Sequence, residues 1–446
     1  MSQYRASRLP RHRGRAAWSL ILGEAPPPRV LEADRTADVV IIGAGFAGLS
    51  AARRLKELDP GLRVAVLDAG RIAEGAAGRN SGFMIDLPHD LSSEDYAGQG
   101  DDKAVIALNR RAIAFARSAV DAYQIRADYF DPAGKVNAAA SEAALAHNRT
   151  YAAHLASIGE DSQSLDAAQM RDLTGSRHYL GGLFTAGTVM LQPAGYIRSL
   201  AAGLAGDGVD IFEQSAVRAF RRAGGSWQVE TDRASVTAAR VILTVNGHLE
   251  SFGIARGRLM HVFLFGAMTP ELDADQSAAL GGAPRWGVTP SDPMGTSVRR
   301  IDRGQGGNRI IVRSAAALRS SMEARPHDLR RAGAVMQRKF DERFPALKGL
   351  ALAHIWAGHL CLARNGVSVA REVEAGVYSG CVQNGLGTAR GTLTGIAAAE
   401  RALGVASEIT AHFDAQADPS RLPPQPFRDL GANVYLRAKE WRARAE

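Results

Sequence analysis

The stretch "VVIIGAGFAGLSAARRL", Val39–Leu55, places three glycines between an apolar run and a segment with helical spacing. The run before the first glycine is rich in β-branched residues and predicts a buried strand, and apolar residues after the third glycine recur on one helix face. In this strand, turn and helix context, Gly43 makes the turn, Gly45 lets a phosphate approach the backbone, and Gly48 lets helix and strand pack closely. The helix N-terminus adds unpaired N–H groups and partial positive charge, so the motif predicts a pyrophosphate site.

A second predicted strand, "LRVAVLDAG", ends at Asp68, about 20 residues after the last glycine of the motif. A carboxylate at this place accepts hydrogen bonds from ribose hydroxyls and repels a 2′-phosphate. The combined pattern predicts a dinucleotide site and leaves NAD and FAD open.

Composition narrows the class of protein. The 446 residues are 46% hydrophobic, enough for a sizeable core, and the net charge of +8 comes from cations interleaved with acids along the chain. We therefore expect a small-molecule enzyme without a nucleic-acid partner or a metal site. Two cysteines, Cys361 and Cys381, are too few for a disulfide framework, and no apolar stretch approaches the ~18 residues of a membrane helix. These features predict a cytoplasmic protein without a transmembrane segment.

The loop "GAAGRNSGFM", Gly75–Met84, follows the second strand. With it the sequence resembles the D-amino-acid oxidase-like flavoproteins, which include glycine and sarcosine oxidases, and most closely the gamma-glutamylputrescine oxidoreductase type. The resemblance implies FAD, with this loop against the ribityl chain and ring. A second cluster, "GVYSGCVQNGLGTARGTLTGIAAAERALG", Gly376–Gly404, predicts a helix whose N-terminus would point at the pyrimidine side of the flavin.

The predicted cofactor residues combine the opening motif, the ribose acid and the positions that the resemblance assigns. They are Gly43, Ala44, Gly45, Phe46, Ala47, Gly48, Asp68, Ala69, Ala77, Gly78, Arg79, Asn80, Ser81, Gly82, Val217, Asn246, Gly247, Gln383, Asn384, Gly385, Leu386, Gly387 and Thr388.

The resemblance also implies the fold: an α/β protein with a Rossmann-like FAD-binding domain and a discontinuous substrate domain built on an antiparallel sheet. The expected FAD-binding domain comprises residues 36–91, 188–250 and 351–405. The expected substrate-binding domain comprises residues 92–187 and 251–350. Residues 1–35 are expected to form an N-terminal extension over the folded body, and residues 406–446 a C-terminal tail.

The chemistry implied by the resemblance is oxidation of a primary or secondary amine, amino-acid-like or polyamine-derived, by hydride transfer to flavin N5. The resulting imine then hydrolyses. His89 and His359 are candidates for deprotonating the substrate ammonium, because imidazole titrates near neutral pH.

Substrate recognition departs from the glycine-oxidase-like pattern. Leu360 stands where those members place an arginine that binds the substrate carboxylate. Arg299 and Arg300 in "TSVRRI" are alternative carboxylate ligands, and Met84 and His359 are further candidates for the substrate site.

Several alternatives stay open. The stretch "NRIIVRS" lacks the lysine with which sarcosine-oxidase-like members activate oxygen, so oxygen and another electron acceptor are both possible. Some relatives attach the flavin through a histidine where this chain has Arg79, or through a cysteine near Cys361, which we interpret as a buried thiol. Competing functions are a 2-hydroxy-acid dehydrogenase, an RNA-modifying flavoprotein, and a flavin-binding subunit that needs a partner chain. A homo-oligomer is also possible.

Overall fold

The structure is a computed structural model that describes residues 3–88 and 100–446. Its strands, in chain order, are β1 (Gln3–Arg5), β2 (Arg35–Ile42), β3 (Val64–Leu67), β4 (Phe83–Met84), β5 (Phe130–Asp131), β6 (Lys135–Ala139), β7 (Gln163–Asp166), β8 (Gly181–Thr185), β9 (Val189–Leu191), β10 (Asp210–Phe212), β11 (Ala219–Ala223), β12 (Ser226–Glu230), β13 (Ser235–Leu243), β14 (Leu259–Met268), β15 (Trp286–Pro290), β16 (Ser297–Ile301), β17 (Arg309–Leu318), β18 (His354–Ala363), β19 (Val369–Glu374) and β20 (Val377–Cys381). Its α-helices are α1 (Ala17–Leu20), α2 (Phe46–Leu58), α3 (Asp102–Ala122), α4 (Glu142–Ser157), α5 (Ala167–Thr174), α6 (Pro193–Gly206), α7 (Ala274–Leu280), α8 (Pro326–Arg343), α9 (Ala389–Ala402), α10 (Glu408–Asp414) and α11 (Phe427–Arg442).

A nine-stranded sheet holds the predicted Rossmann-like unit. Strands β13, β2, β3 and β10 run parallel in that order, and β20 lies parallel to the end of β13. Ile42 pairs with both Leu67 and Leu243, so three parallel strands end at one level. The residues that follow those ends therefore meet at a single edge of the sheet, where ligands of such folds bind.

Helices α2 and α9 pack side by side over one face of this sheet. Two glycines of α9 make the close approach possible: a Cβ on Gly391 would lie 3.2 Å from Phe46 Cβ, and one on Gly395 would lie under 3.0 Å from the Ala47 carbonyl oxygen. Both helices start at the same edge of the sheet, so their N-termini lie next to each other.

An eight-stranded sheet, in the order β18, β14, β17, β16, β15, β6, β8 and β7, forms the second layer. Its neighbours pair antiparallel except β15 and β6, and its strands come from two separated stretches of the chain. Helix α8 packs on its outer face. The predicted fold class, a Rossmann-like unit with a discontinuous antiparallel sheet, is confirmed.

The sheets differ from the expected segments at two places. Strand β18 lies inside the expected FAD-binding piece 351–405 but pairs with β14 along its whole length. Strand β1 lies inside the expected extension 1–35 but pairs with β11 at the edge of the nine-stranded sheet. Neither pairing is local in sequence, so local pattern could not indicate it. Within the described residues, no helix is long and apolar enough to cross a bilayer.

Candidate functional site

A cavity that is lined by residues of both sheets and partly open to solvent lies where the two sheets face each other. The opening glycine motif, the loop after Asp68 and the start of α9 all contribute to its wall. The inner face of the eight-stranded sheet forms the opposite wall. Sequence segments more than 300 residues apart, such as Gly43 and Thr388, thus border one space.

The glycine motif forms a backbone cradle at the edge of the nine-stranded sheet. Gly43 has φ +105, which favours glycine, and a Cβ on Gly48 would lie under 3.0 Å from the Gly43 carbonyl oxygen. Gly45 is the N-cap of α2 and offers no side chain to the first helical turn. The N–H groups of that turn therefore remain available to an anion in the cavity.

Asp68 lies beside this cradle at the end of β3. Its carboxylate accepts hydrogen bonds from the Ala44 and Gly70 N–H groups, each at 2.8 Å. Desolvation raises the pKa of Asp68, and these backbone donors oppose part of that rise. Asp68 lines the cavity with Ala69 and Val217, and their roles at the ribose and adenine stay predictions.

The loop Gly75–Met84 is held from behind by the N-terminal segment. Trp18 donates from Nε1 to the Asn80 carbonyl oxygen at 2.9 Å, and Arg79 donates to the carbonyl oxygens of Arg13 and Ala357. Phe83 lines the cavity, whereas Met84 is fully buried in the core. Met84 is therefore corrected as a substrate residue: side chains alternate along β4, so only one of the pair can face the cavity.

The start of α9 forms the third part of the wall. Thr388 is its N-cap and makes no side-chain capping bond; instead its hydroxyl donates to the Phe83 carbonyl oxygen at 2.9 Å. The neighbouring Asn384 turns away and bonds the backbone of Ala363 and Val367. The uncapped helix start and the loop before it face the cavity.

The predicted cofactor residues divide into two groups. Those that line the cavity are Gly43, Ala44, Gly45, Phe46, Ala47, Asp68, Ala69, Ala77, Arg79, Asn80, Ser81, Val217, Asn246, Gln383, Gly385, Leu386, Gly387 and Thr388. Those that lie behind the lining are Gly48, Gly78, Gly82, Gly247 and Asn384. The second group supports the wall by close packing rather than by facing the cavity.

One buried polar atom tests whether a cofactor fits. Asn246 has φ +47 and lines the cavity, and its Oδ1 is buried without a hydrogen-bond partner among the described atoms. A buried acceptor left unpaired costs free energy that a bound donor recovers. With two uncapped helix N-termini and the Asp68 carboxylate, this acceptor fits a dinucleotide such as FAD.

The substrate wall contains a polar corner that the sequence did not single out. Arg313 of β17 lines the cavity beside Ser297 and Thr289, and it donates from Nη2 to Ser297 Oγ at 3.0 Å. Thr289 in turn donates to Asn137, which also bonds the buried ammonium of Lys135. This corner presents a cation and two hydroxyls at one end of the cavity.

Arg299 and Arg300 are corrected as substrate ligands because neither lines the cavity. The Arg299 guanidinium is buried and donates to the Leu191 carbonyl oxygen at 2.7 Å and to Gln305 at 2.9 Å. Arg300 lies on the opposite face of β16 and donates to the backbone of the Gly281 loop. Their charges hold the fold together instead of reaching a ligand.

A chain of ionisable side chains ends at the cavity. His359 lines the wall, its Nε2 lies 3.1 Å from His261 Nδ1, and His261 Nε2 lies 2.8 Å from Glu250 Oε2. Burial, followed by the charges of His261, His248 and His12, holds the pKa of His359 well below 6.5. The other predicted candidate, His89, lies outside the described residues.

Two residues bear on covalent attachment. Burial lowers the pKa of Arg79 to about 10, and its carbonyl hydrogen bonds fix the guanidinium. Cys361 is fully buried, as expected, and burial raises the pKa of its thiol well above the ordinary value. A thiol kept protonated in this way is a poor nucleophile.

Part of the N-terminal segment also lines the cavity, which the sequence interpretation missed. Arg8 and His12 reach the wall next to the glycine-rich loops, and Arg8 is tied to the Ser321 carbonyl oxygen at 2.8 Å. The expected extension over the folded body is thus part of the site. The high density of basic residues in this segment was the available signal.

Comparison with known proteins identifies the family and several relatives of the chain. Residues 38–401 match the model of the family described as FAD dependent oxidoreductase (DAO). The chain is 26% identical over 415 residues to "Probable oxidoreductase OrdL" of Haemophilus influenzae, covering 89% of this chain and 90% of that protein. It is 28% identical over 218 residues to gamma-glutamylputrescine oxidoreductase of Escherichia coli, covering 48% and 50%. The fold is similar to that of glycine oxidase from Geobacillus kaustophilus, with a TM-score of 0.70, 16% identity, and 87% and 100% of the two chains covered.

Proposed function

The chain belongs to the FAD dependent oxidoreductase (DAO) family, and we propose that it oxidises a primary or secondary amine that carries a distant carboxylate. Such a substrate is amino-acid-like or polyamine-derived. The relatives named for gamma-glutamylputrescine and glycine support an amine. The observation that carries the proposal is the placement of Arg313 and His359 on one cavity wall.

Arg313 supplies the binding charge in this proposal. Its guanidinium is held by Ser297, so it is already oriented before a carboxylate arrives. The position that relatives use for a carboxylate-binding arginine is occupied by Leu360, which lines the cavity with Leu264. An acid bound at Arg313 therefore lies apart from the reacting carbon, with apolar side chains along the wall.

FAD held by the glycine motif, Asp68 and the start of α9 would supply an acceptor for the hydride of the amine C–H, and the resulting imine would hydrolyse in water. The chain's own residues position the amine and remove its proton. The lowered pKa of His359 keeps the imidazole neutral at neutral pH, so it accepts a hydrogen bond or a proton from the substrate nitrogen. A neutral ring also avoids repelling the ammonium form as it enters.

Glu250 and His261 orient that base. With both rings neutral, His261 Nε2–H donates to Glu250, so its Nδ1 accepts from His359 Nε2–H. This arrangement leaves His359 Nδ1 as the acceptor. When Nδ1 takes a proton, the Nε2 proton can pass to His261 and the positive charge is balanced by the Glu250 carboxylate.

The test uses the FAD-loaded protein under anaerobic conditions. It is mixed with matched panels of amines and 2-hydroxy acids, each with and without a distant carboxylate, and loss of the flavin's visible absorbance is followed. We expect amines with the carboxylate to react fastest, and a trapped carbonyl product to appear in proportion to reduced flavin. Reduction by hydroxy acids alone would assign the chain to the alcohol-oxidising alternative.

A further inference from the structure

Helix α11 carries an unusual outer surface. Of the large hydrophobic side chains exposed in the described residues, five lie on α11 and the sixth is Leu180 at 41% exposure. The five are 61% to 70% exposed: Phe427, Leu430, Val434, Tyr435 and Trp441. Phe427, Leu430, Val434 and Trp441 are separated by three, four and seven residues and lie along one side of the helix, and Tyr435 borders that side. We call these five side chains the α11 stripe.

The inner side of α11 is anchored by specific polar contacts. Asn433 bonds both the N–H and the carbonyl of Leu318, at 3.1 and 3.0 Å. Glu440 accepts from the Ala316 N–H at 2.8 Å and pairs with Arg331 at 2.9 Å. Because the inner side is fixed to the eight-stranded sheet in this way, the apolar side is held outward.

Charge is segregated between the two sides. Both acids of the helix, Asp429 and Glu440, are engaged with the body of the protein. Cations border the α11 stripe: Lys439 lies 5.8 Å from the Tyr435 ring and Arg444 lies 4.3 Å from the Trp441 ring. Within α11, which is fully described, no exposed position is acidic.

The stripe is also close to the substrate side of the cavity. Ala432 and Leu436 on the inner side of α11 belong to an apolar cluster that includes Leu264 and Leu360. These two leucines line the cavity. This apolar cluster therefore lies between the α11 stripe and the cavity.

We propose that the α11 stripe binds the surface of a membrane that contains anionic lipid, with α11 lying in the interface. Apolar and aromatic side chains on one side of α11, bordered by cations and with no exposed acid on the helix itself, match a negatively charged lipid surface, although Glu342 of α8 lies near Trp441. A second copy of the chain fits less well, because it would bring the same cations and no exposed α11 acid to pair with them. Binding at this place puts the cavity wall next to the bilayer.

Vesicle co-sedimentation of the full FAD-loaded chain tests this proposal. We expect binding to phosphatidylcholine vesicles that contain phosphatidylglycerol, weaker binding without it, and a decrease with added salt. The double variant Leu430→Gln, Val434→Gln should bind at least about tenfold more weakly. Leu180→Gln is the matched control, since it makes the same change at an exposed leucine elsewhere. FAD content should be unchanged in all of them, since these side chains are exposed.

Trp441 provides a direct readout. It is 66% exposed, whereas Trp18, Trp227, Trp286 and Trp356 are each at most 2% exposed. Brominated lipids should quench the fluorescence of the wild type on vesicle binding, and Trp441→Phe should bind normally but lose the quenching.

Two results would overturn the proposal. One is equal vesicle binding by wild type and the double variant, or none by either. The other is concentration-dependent dimerisation of the wild type that the double variant abolishes, without vesicle binding, which would assign the stripe to a second copy.

Discussion

The two walls of the cavity are built in different ways. The wall on the nine-stranded sheet faces the cofactor with backbone groups, glycines and two helix N-termini, whereas the wall on the eight-stranded sheet presents single side chains such as Arg313 and His359. The backbone wall fails where an added atom would meet another backbone segment, as at Gly48, whereas the side-chain wall can be altered one side chain at a time. The following substitutions separate these two behaviours.

The largest effect is expected at Gly48. A Cβ there would lie under 3.0 Å from the Gly43 backbone oxygen, so Gly48→Ala forces the turn and helix apart. We expect a loss of about 3 kcal/mol in the free energy of unfolding and loss of bound FAD. Gly206→Ala is the control, because nothing lies within 4 Å of a Cβ at Gly206. Calorimetry and flavin content measure both, and equal behaviour of the two variants would show that the cradle tolerates side chains.

His359→Gln should come next and should leave FAD binding intact. Removing the proposed proton acceptor is expected to lower kcat/KM about 100-fold. His261→Gln should have a smaller effect on kcat/KM and should shift the pH profile, because it acts through His359. In the wild type, the acidic limb due to His359 should lie below 6.5, since the pKa of its imidazole is lowered. If the pH profile of kcat/KM were identical in the wild type and both variants, His359 would not be the proton acceptor.

Arg313→Ala should act on substrate choice. Loss of the guanidinium is expected to raise KM for an amine with a distant carboxylate about 30-fold, or about 2 kcal/mol. KM for the matching amine without the carboxylate should hardly change. Arg309→Ala is the control, because Arg309 is on the same strand and does not line the cavity. If KM rises equally for both amines, Arg313 does not bind the carboxylate.

The smallest expected effect is a change in the free energy of unfolding with pH. Burial lowers the pKa of His248 from 6.5 to about 4. The unfolded chain therefore binds a proton that the folded chain does not, and the free energy of unfolding should fall as pH drops from 6.5 toward 4. His248→Gln should flatten this fall, whereas His327→Gln, at an exposed position, should not. Thermal unfolding between pH 6.5 and 4 measures this effect. An equal fall in stability in the wild type and both variants would show that burial of His248 does not cause it.

The same contrast explains what the sequence predicted. Strand, turn and helix around Gly43 are contiguous, so the cradle and Asp68 could be predicted from spacing. On the wall formed by the eight-stranded sheet, the residues that reach the cavity depend on which face of each strand points inward. The alternation of side chains along a strand does not indicate which of its two faces that is. Arg299 and Arg313 show this difference: both are arginines on neighbouring strands, but the first is buried against Leu191 and the second lines the cavity. The pairing of β1 and β18 likewise depends on distant segments.

The proposed function requires that a backbone cradle hold FAD while the opposite wall selects an amine. Its most direct test is the anaerobic rate of flavin reduction by one matched pair: an amine with a distant carboxylate, and the hydroxy compound of the same carbon skeleton. The amine should reduce the flavin at least about tenfold faster, because a neutral amine nitrogen donates electron density to the carbon that loses hydride more strongly than a hydroxyl oxygen does. Equal rates, or faster reduction by the hydroxy compound, would contradict the claim.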